Sequence, residues 1–124
     1  MIVLDTHALI WWLTGSTPLS RAAKRAVAKA TNQVVALAIS VLEIVTAHRR
    51  GRLKFTVPLE HWLADARRLP ELHFEPVSAE IAQLAGSLGE DMHGDPADRI
   101  IAATAIILNA SLVTPIKDCA PVAW

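Results

Sequence analysis

The stretch VVALAISVLE, residues 34–43, decides the fold. Its first six residues are apolar without interruption and start with two adjacent valines, the pattern of a strand covered on both faces. Ser40 then stands three residues before Glu43, the spacing of a capping box, so a helix is expected to open there and to end near Gly51. The same order of strand and helix recurs on either side. MIVLD, residues 1–5, is a short apolar run closed by a carboxylate, with Thr6 placed to cap a helix through Leu13 that Gly15 ends. Residues 19–31 carry alanine at every turn between basic residues and form an amphipathic helix capped by Ser20. Downstream, Pro58 starts a helix to about Leu69, residues 73–77 make a short strand, and Ser78 opens a helix that stops between Gly86 and Gly89. Residues 96–109 form a helix that is apolar nearly all round and therefore buried, residues 112–114 a last inner strand, and residues 122–124 a weak edge strand. This alternation predicts one α/β domain over residues 1–124, a three-layer sandwich with helices on both sides of a mainly parallel central sheet.

At 124 residues such a domain buries roughly two thirds of its unfolded surface, enough for a core without cross-links. Cys119 is the single cysteine, which excludes an internal disulfide and fits a reducing compartment. The N-terminal run lacks a basic leader and a small-residue cleavage site. The longest apolar run, residues 100–108, falls far short of the ~20 residues of a membrane span, so a soluble, cytoplasmic protein with no membrane partner is expected. The twelve basic and twelve acidic residues cancel, but they are segregated. Ten Lys/Arg and only three acids lie between Leu19 and Pro70. A basic middle suits a polyanion and acidic flanks suit a cation. Arg21, Lys24, Arg25 and Lys29 are read as the solvated face of one helix. His48-Arg49-Arg50-Gly51-Arg52 also complements a helix C-terminus, yet its density marks Arg49, Arg50 and Arg52 as candidate nucleic-acid contacts.

In sheets of this kind ligands bind beyond the carboxyl ends of the strands. Asp5 follows the first strand directly, Glu43 lies one turn into the helix after the second, and Asp98 and Asp118 flank the last inner strand. All four can reach one end of the sheet. Asp95 is read as an N-cap before Pro96, and Asp98 as a first-turn acid that also faces the site. Carboxylates gathered in this way either take up protons or bind a cation. A hard ion such as Mg²⁺ or Mn²⁺ prefers their oxygens and shares its remaining positions with water and phosphate, which leads to phosphodiester hydrolysis. His7 is read as an ordinary first-turn histidine, and base stacking is not assigned to Trp11 or Trp12.

LDTHALIWWL, ISVLEIVTAHRRGRL and HGDPADRIIAATA followed by ASLVT, taken in that order, resemble the PIN domain, specifically the VapC-like toxins of bacterial toxin–antitoxin pairs. The likeness spans nearly the whole chain. It implies a PIN-like fold and a Mg²⁺- or Mn²⁺-dependent endoribonuclease acting on RNA, usually a homodimer, held inactive by a VapB-like antitoxin. Carried over by position, it assigns catalytic roles to Asp5, Glu43 and Asp98, and makes Thr6 and Thr114 polar residues lining the same site. The family commonly places a fourth acid two residues beyond the final threonine, where this chain has Ile116. Asp118 or Asp95 is the available substitute. The departure motivates an alternative, a degenerate PIN fold that binds RNA or an antitoxin without cutting. A phosphoacceptor domain is set aside, because Asp5 stands alone after the first strand and no acceptor aspartate lies near Val77.

Overall fold

The computed structural model describes residues 1–15, 20–29, 33–90, 95–114 and 120–121. In chain order the elements are β1 (Ile2–Leu4), α1 (Thr6–Thr14), α2 (Arg21–Lys29), β2 (Val34–Leu37), α3 (Ala38–Arg49) and α4 (Leu59–Arg68). β3 (Leu72–Glu75), α5 (Ala79–Ser87), α6 (Pro96–Ile107), β4 (Ser111–Val113) and β5 (Ala120–Pro121) follow. The sheet order is β3-β2-β1-β4-β5. The first four strands are parallel and β5 pairs antiparallel at the edge. β1 is central, with Ile2 opposite both Val34 and Ser111, and Val3 opposite both Val35 and Leu112.

The strand side chains alternate between two cores. Ile2, Leu4, Val34, Ala36 and Leu72 meet Ala8 and Leu9 of α1, Ala23 and Val27 of α2, Ile44 of α3 and Leu63 and Ala66 of α4. Val3, Val35 and Leu37 face the other way, against Ile101 and Ala105 of α6. Behind α6, Ala103 packs on Ile81 and Ala85 of α5. The expected three layers are therefore present, and the continuously apolar β1 and β2 are explained by their having no wet face. Leu4, Leu9, Leu37 and Ile44 are among the fully buried side chains, each stabilising the fold by about 1.5–3 kcal/mol. Alanines 102, 103 and 105 are buried in α6; their small size lets that helix lie close to both the sheet and α5. No described helix is long and apolar enough to cross a membrane.

Several element boundaries differ from the sequence reading. β2 ends at Leu37 and α3 begins at Ala38, with Leu37 in the N-cap position and no side-chain cap bond. Ser40 is thus inside the helix, fully buried, and the capping box does not form. Asp5, rather than Thr6, caps α1: its carboxylate accepts from the Ala8 N–H at 2.8 Å. Gly15 ends α1 in the left-handed conformation as expected. Ser20 and Ser78 do cap α2 and α5, accepting from the N–H groups of Ala23 and Ile81 at 3.0 and 3.1 Å. β3 and β4 start one residue earlier than expected, at Leu72 and Ser111. The edge strand is Ala120–Pro121, and residues 122–124 lie outside the described residues.

Candidate active site

The carboxyl ends of β1 and β2 lead straight into the N-termini of α1 and α3. Asp5 occupies the first junction, with extended backbone angles of φ −73° and ψ 177°. Its N–H donates to the Val113 carbonyl of β4 at 3.1 Å, and its carboxylate is held by the Ala8 N–H. Backbone and side chain are therefore fixed by β4 and by the first turn of α1. Burial pushes the Asp5 carboxyl up from 3.8 to about 6; the charges of Asp98 and Glu43 push the same way, against the Ala8 N–H and His7, which lower it. Asp98 and Glu43, far from Asp5 in sequence, lie near enough for their charges to reach it.

Glu43 is half-buried on α3 and accepts a hydrogen bond from the Thr6 hydroxyl. Thr6 Oγ1 also lies 2.9 Å from Ser40 Oγ. Thr6 has one hydroxyl proton and an ionised Glu43 can only accept, so Ser40 donates to Thr6 and Thr6 donates to Glu43. Thr6 is almost fully buried and Ser40 completely so. This chain of hydroxyls ties α1 to α3 and holds the Glu43 carboxylate in place. Sequence reading missed Ser40 as a site residue because its spacing to Glu43 imitates a cap; the available signal was a single hydroxyl in an otherwise apolar run. Ser40→Ala is expected to lose about 1–2 kcal/mol for the buried hydrogen bond, partly offset by alanine's better helix propensity. A thermal midpoint lower by about 3–5 °C in a melt beside wild type would register it; an unchanged midpoint would mean the hydroxyl chain carries no net stability.

Asp98 lies in the first turn of α6 and is exposed. Asp95 caps that helix as expected, accepting from the Ala97 N–H at 2.9 Å, with Pro96 at the first helical position. Arg99, to which sequence reading gave no role, donates from Nε to the Ala85 carbonyl at 3.0 Å and from its terminal nitrogens to Leu88 and Gly89. It thereby satisfies carbonyls at the C-terminal end of α5 that the helix itself leaves unpaired, and fixes the start of α6 beside Asp98. Its i,i+1 relation to Asp98 offered no sequence signal for a contact with α5.

Thr114 follows β4 and is half-buried, on the strand whose Val113 carbonyl binds the Asp5 N–H. Arg49 ends α3, and Arg50 and Arg52 follow it; all three are exposed. Arg49 is six residues beyond Glu43, about 9 Å along the helix. The basic run is therefore set off from the acids along α3. Asp118 and Ile116 lie outside the described residues. Among the described residues, no three His, Cys, Asp or Glu side chains are gathered tightly enough to form a ready-made metal cage. The donor set nevertheless suits a hard cation: all its groups are oxygens, and Asp5 bears a charge that its surroundings disfavour.

Residues 2–118 match the PIN domain family. Ribonuclease VapC22 of Mycobacterium tuberculosis (strain ATCC 25618 / H37Rv) is 35% identical over 114 residues, covering 91% of this chain and 85% of that protein. A toxin–antitoxin complex from Klebsiella pneumoniae contains a chain that superposes with a TM-score of 0.64 at 24% identity, covering 95% of this chain and 89% of that one. VapBC2 from Rickettsia felis, bound to a DNA fragment from its promoter, superposes with a TM-score of 0.63 at 22% identity over 92% and 87% of the two chains. At these identities the two structures establish a shared fold.

Proposed function

We propose that this chain, which belongs to the PIN domain family and within it to the VapC type, is a toxin ribonuclease that hydrolyses RNA phosphodiester bonds with a divalent metal held by Asp5, Glu43 and Asp98. The observation that supports the metal site is the buried Asp5 carboxyl at the carboxyl end of the sheet: burial raises it to about 6, and the charges of Asp98 and Glu43 reach it and push the same way. Mg²⁺ or Mn²⁺ would supply Lewis-acid chemistry there, acidifying a bound water and neutralising charge on a phosphoryl oxygen. The chain's own residues set the stage for that reaction. The Ala8 N–H keeps Asp5 in one orientation, the Ser40–Thr6 hydroxyls do so for Glu43, and α6, anchored by its buried face and by Arg99, carries Asp98 on the exposed side. Thr6 and Thr114 are proposed to line the substrate path, and Arg49, Arg50 and Arg52 to hold the RNA backbone. Asp118 is proposed as a further ligand; the three-acid site does not depend on it.

A VapB-like antitoxin is the proposed partner, in keeping with the toxin–antitoxin complexes whose chains share this fold. A homodimer is proposed with it, supported by Leu42 and Val45, one turn apart on α3 and 59% and 38% exposed. A cytoplasmic location follows from an RNA substrate. The second reading, a non-cleaving module that binds RNA or antitoxin, is favoured by the lack of a ready-made cage among the described residues.

Purified chain incubated with an RNA pool and Mg²⁺ or Mn²⁺ is expected to release discrete fragments, and EDTA to stop their appearance. Asp98→Asn, purified identically, serves as the control for contaminating nucleases. Equal cleavage by wild type and Asp98→Asn, or no cleavage with either ion, would overturn the reading. Binding of the same RNA without cleavage would establish the second one.

A further inference from the structure

The C-terminal end of α3 is a built corner. Gly51, at φ +73°, donates its N–H to the His48 carbonyl at 3.0 Å, and the Arg52 N–H reaches back to the Ala47 carbonyl at 2.9 Å. These two bonds with a left-handed glycine make a Schellman motif, which fixes the positions of residues 49–52. The chain then returns to the core through Leu53 and Phe55, which pack on it together with Trp62 of α4. Three rings follow in series: Trp62 and Phe55 have centroids 4.5 Å apart, and Phe55 and His48 are stacked with centroids 6.1 Å apart and planes 24° from parallel. Trp62 and Phe55 are half-buried, and His48, at the outer end, is exposed.

Arg49, Arg50, Arg52 and Lys54 lie between His48 and Phe55 in the chain and are all exposed. The ion pairs among the described residues are Arg68 with Asp65 and His73 with Glu75, so none of these four cations is in one. No acid occurs between Glu43 and Glu60. A helix C-terminus presents about half a negative charge, which accounts for one cation of the four. An aromatic series ending in an exposed ring, flanked by unpaired cations on a rigid corner, has the chemistry of a single-strand platform. An unpaired base can stack on the ring while its flanking phosphates meet the charges. A duplex, with its bases already stacked, cannot use the ring.

We propose that His48, backed by Phe55 and Trp62, together with Arg49, Arg50, Arg52 and Lys54, forms a stacking and electrostatic platform for single-stranded RNA. The platform is set along α3 from the acids and grips the strand independently of the metal. Its choice of ligand rests on the ribonuclease reading, and it adds that the substrate is bound in an unpaired stretch, one base of which lies on His48. The distance of about 9 Å from Arg49 to Glu43 along the helix is short enough for one strand to reach both places.

The test uses the full chain in EDTA with a fluorescein-labelled, uncleavable 2′-O-methyl oligoadenosine of twelve nucleotides, and a matching oligomer whose central positions are abasic. Wild type is expected to bind the first more tightly. His48→Ala should weaken that binding about tenfold, leave its salt dependence unchanged, and remove the preference over the abasic oligomer. Arg50→Ala/Arg52→Ala/Lys54→Ala should lower the slope of log affinity against log salt by about 2, since each cation on a single strand contributes about 0.7. All the substituted side chains are exposed, and a thermal melt of each variant checks that the fold is kept. Unchanged affinity in the triple variant, equal loss by His48→Ala on both oligomers, or no binding by wild type would overturn the proposal. So would a fall in the molar mass of the triple variant by light scattering with RNA binding intact, which would make the corner a contact between copies. If wild type binds through the platform but cuts nothing with Mn²⁺, the platform stands and the nuclease reading falls; if it cuts RNA and the triple variant binds as wild type does, the reverse holds.

Discussion

Asp5→Asn is expected to slow cleavage by about two to three orders of magnitude and, in the metal-free protein, to make the fold more stable. The gain in stability follows from the raised carboxyl. Asp5 titrates at about 6 in the folded chain against 3.8 as its ordinary value. Between those pH values the folded chain keeps a proton that the unfolded chain has released, so stability falls as pH rises through the window and the full cost applies above about 6. That cost is at most about 3 kcal/mol, and partial exposure of Asp5 to water reduces it. Asparagine is neutral, nearly the same shape, and an equally good N-cap for the Ala8 N–H. A gain of about 1–2 kcal/mol at pH 8 is expected, raising the thermal midpoint by about 4–8 °C. At pH 4 the two midpoints should converge. Loss of the charged ligand should slow cleavage by about 10²- to 10³-fold, equivalent to about 3–4 kcal/mol of transition-state stabilisation. Paired melts at the two pH values and a cleavage time course check both halves. A variant less stable than wild type at pH 8 would mean that the carboxylate is a structural cap and nothing more.

The second large effect is the response of the thermal midpoint to Mg²⁺ or Mn²⁺. A ligand that binds only the folded chain adds about 2.7 kcal/mol at a concentration one hundred times its dissociation constant, which for a chain of this length raises the midpoint by about 8–13 °C. EDTA should restore the original value. Since a cation favours the ionised form of Asp5, the gain should be small at pH 5, grow as pH rises past about 6, and be largely lost in Asp5→Asn. Melts in Mn²⁺ and in EDTA at pH 5 and pH 7.5 decide the matter. Equal midpoints in the presence and absence of the ion at pH 7.5 would show that the three acids do not form a metal site.

The strand and helix order was legible in the sequence because β1 and β2 are apolar on both faces and most helices carry a local start or stop signal, such as Ser20, Ser78, Pro96 and Gly15. The β2–α3 boundary was not. Ala38 and Ile39 suit strand and helix alike, and Ser40 with Glu43 imitates a cap three residues too late. The α1 cap was misplaced by one residue because aspartate and threonine both serve there, and only the tertiary position of Thr6, against Ser40 and Glu43, separates them. Asp5, Glu43 and Asp98 stood out as candidates in the sequence because an acid at the end of a buried strand, or near the start of a helix that follows one, needs a reason. What brings them together is the sheet order, which depends on pairings between residues far apart in sequence and leaves no local trace. The same is true of Arg99 and of the ring series from Trp62 to His48, whose members are drawn from separate elements.

The central position of β1 also orders events in time. Ile2 pairs with Ser111 as well as Val34, and the Asp5 backbone is secured by Val113. During synthesis the strand that leads to Asp5 emerges early, but its second neighbour is made only after more than a hundred further residues have been added. A growing chain therefore holds an aspartate without its anchor. The backbone of Asp5 cannot be secured before β4 has been made and has docked beside β1.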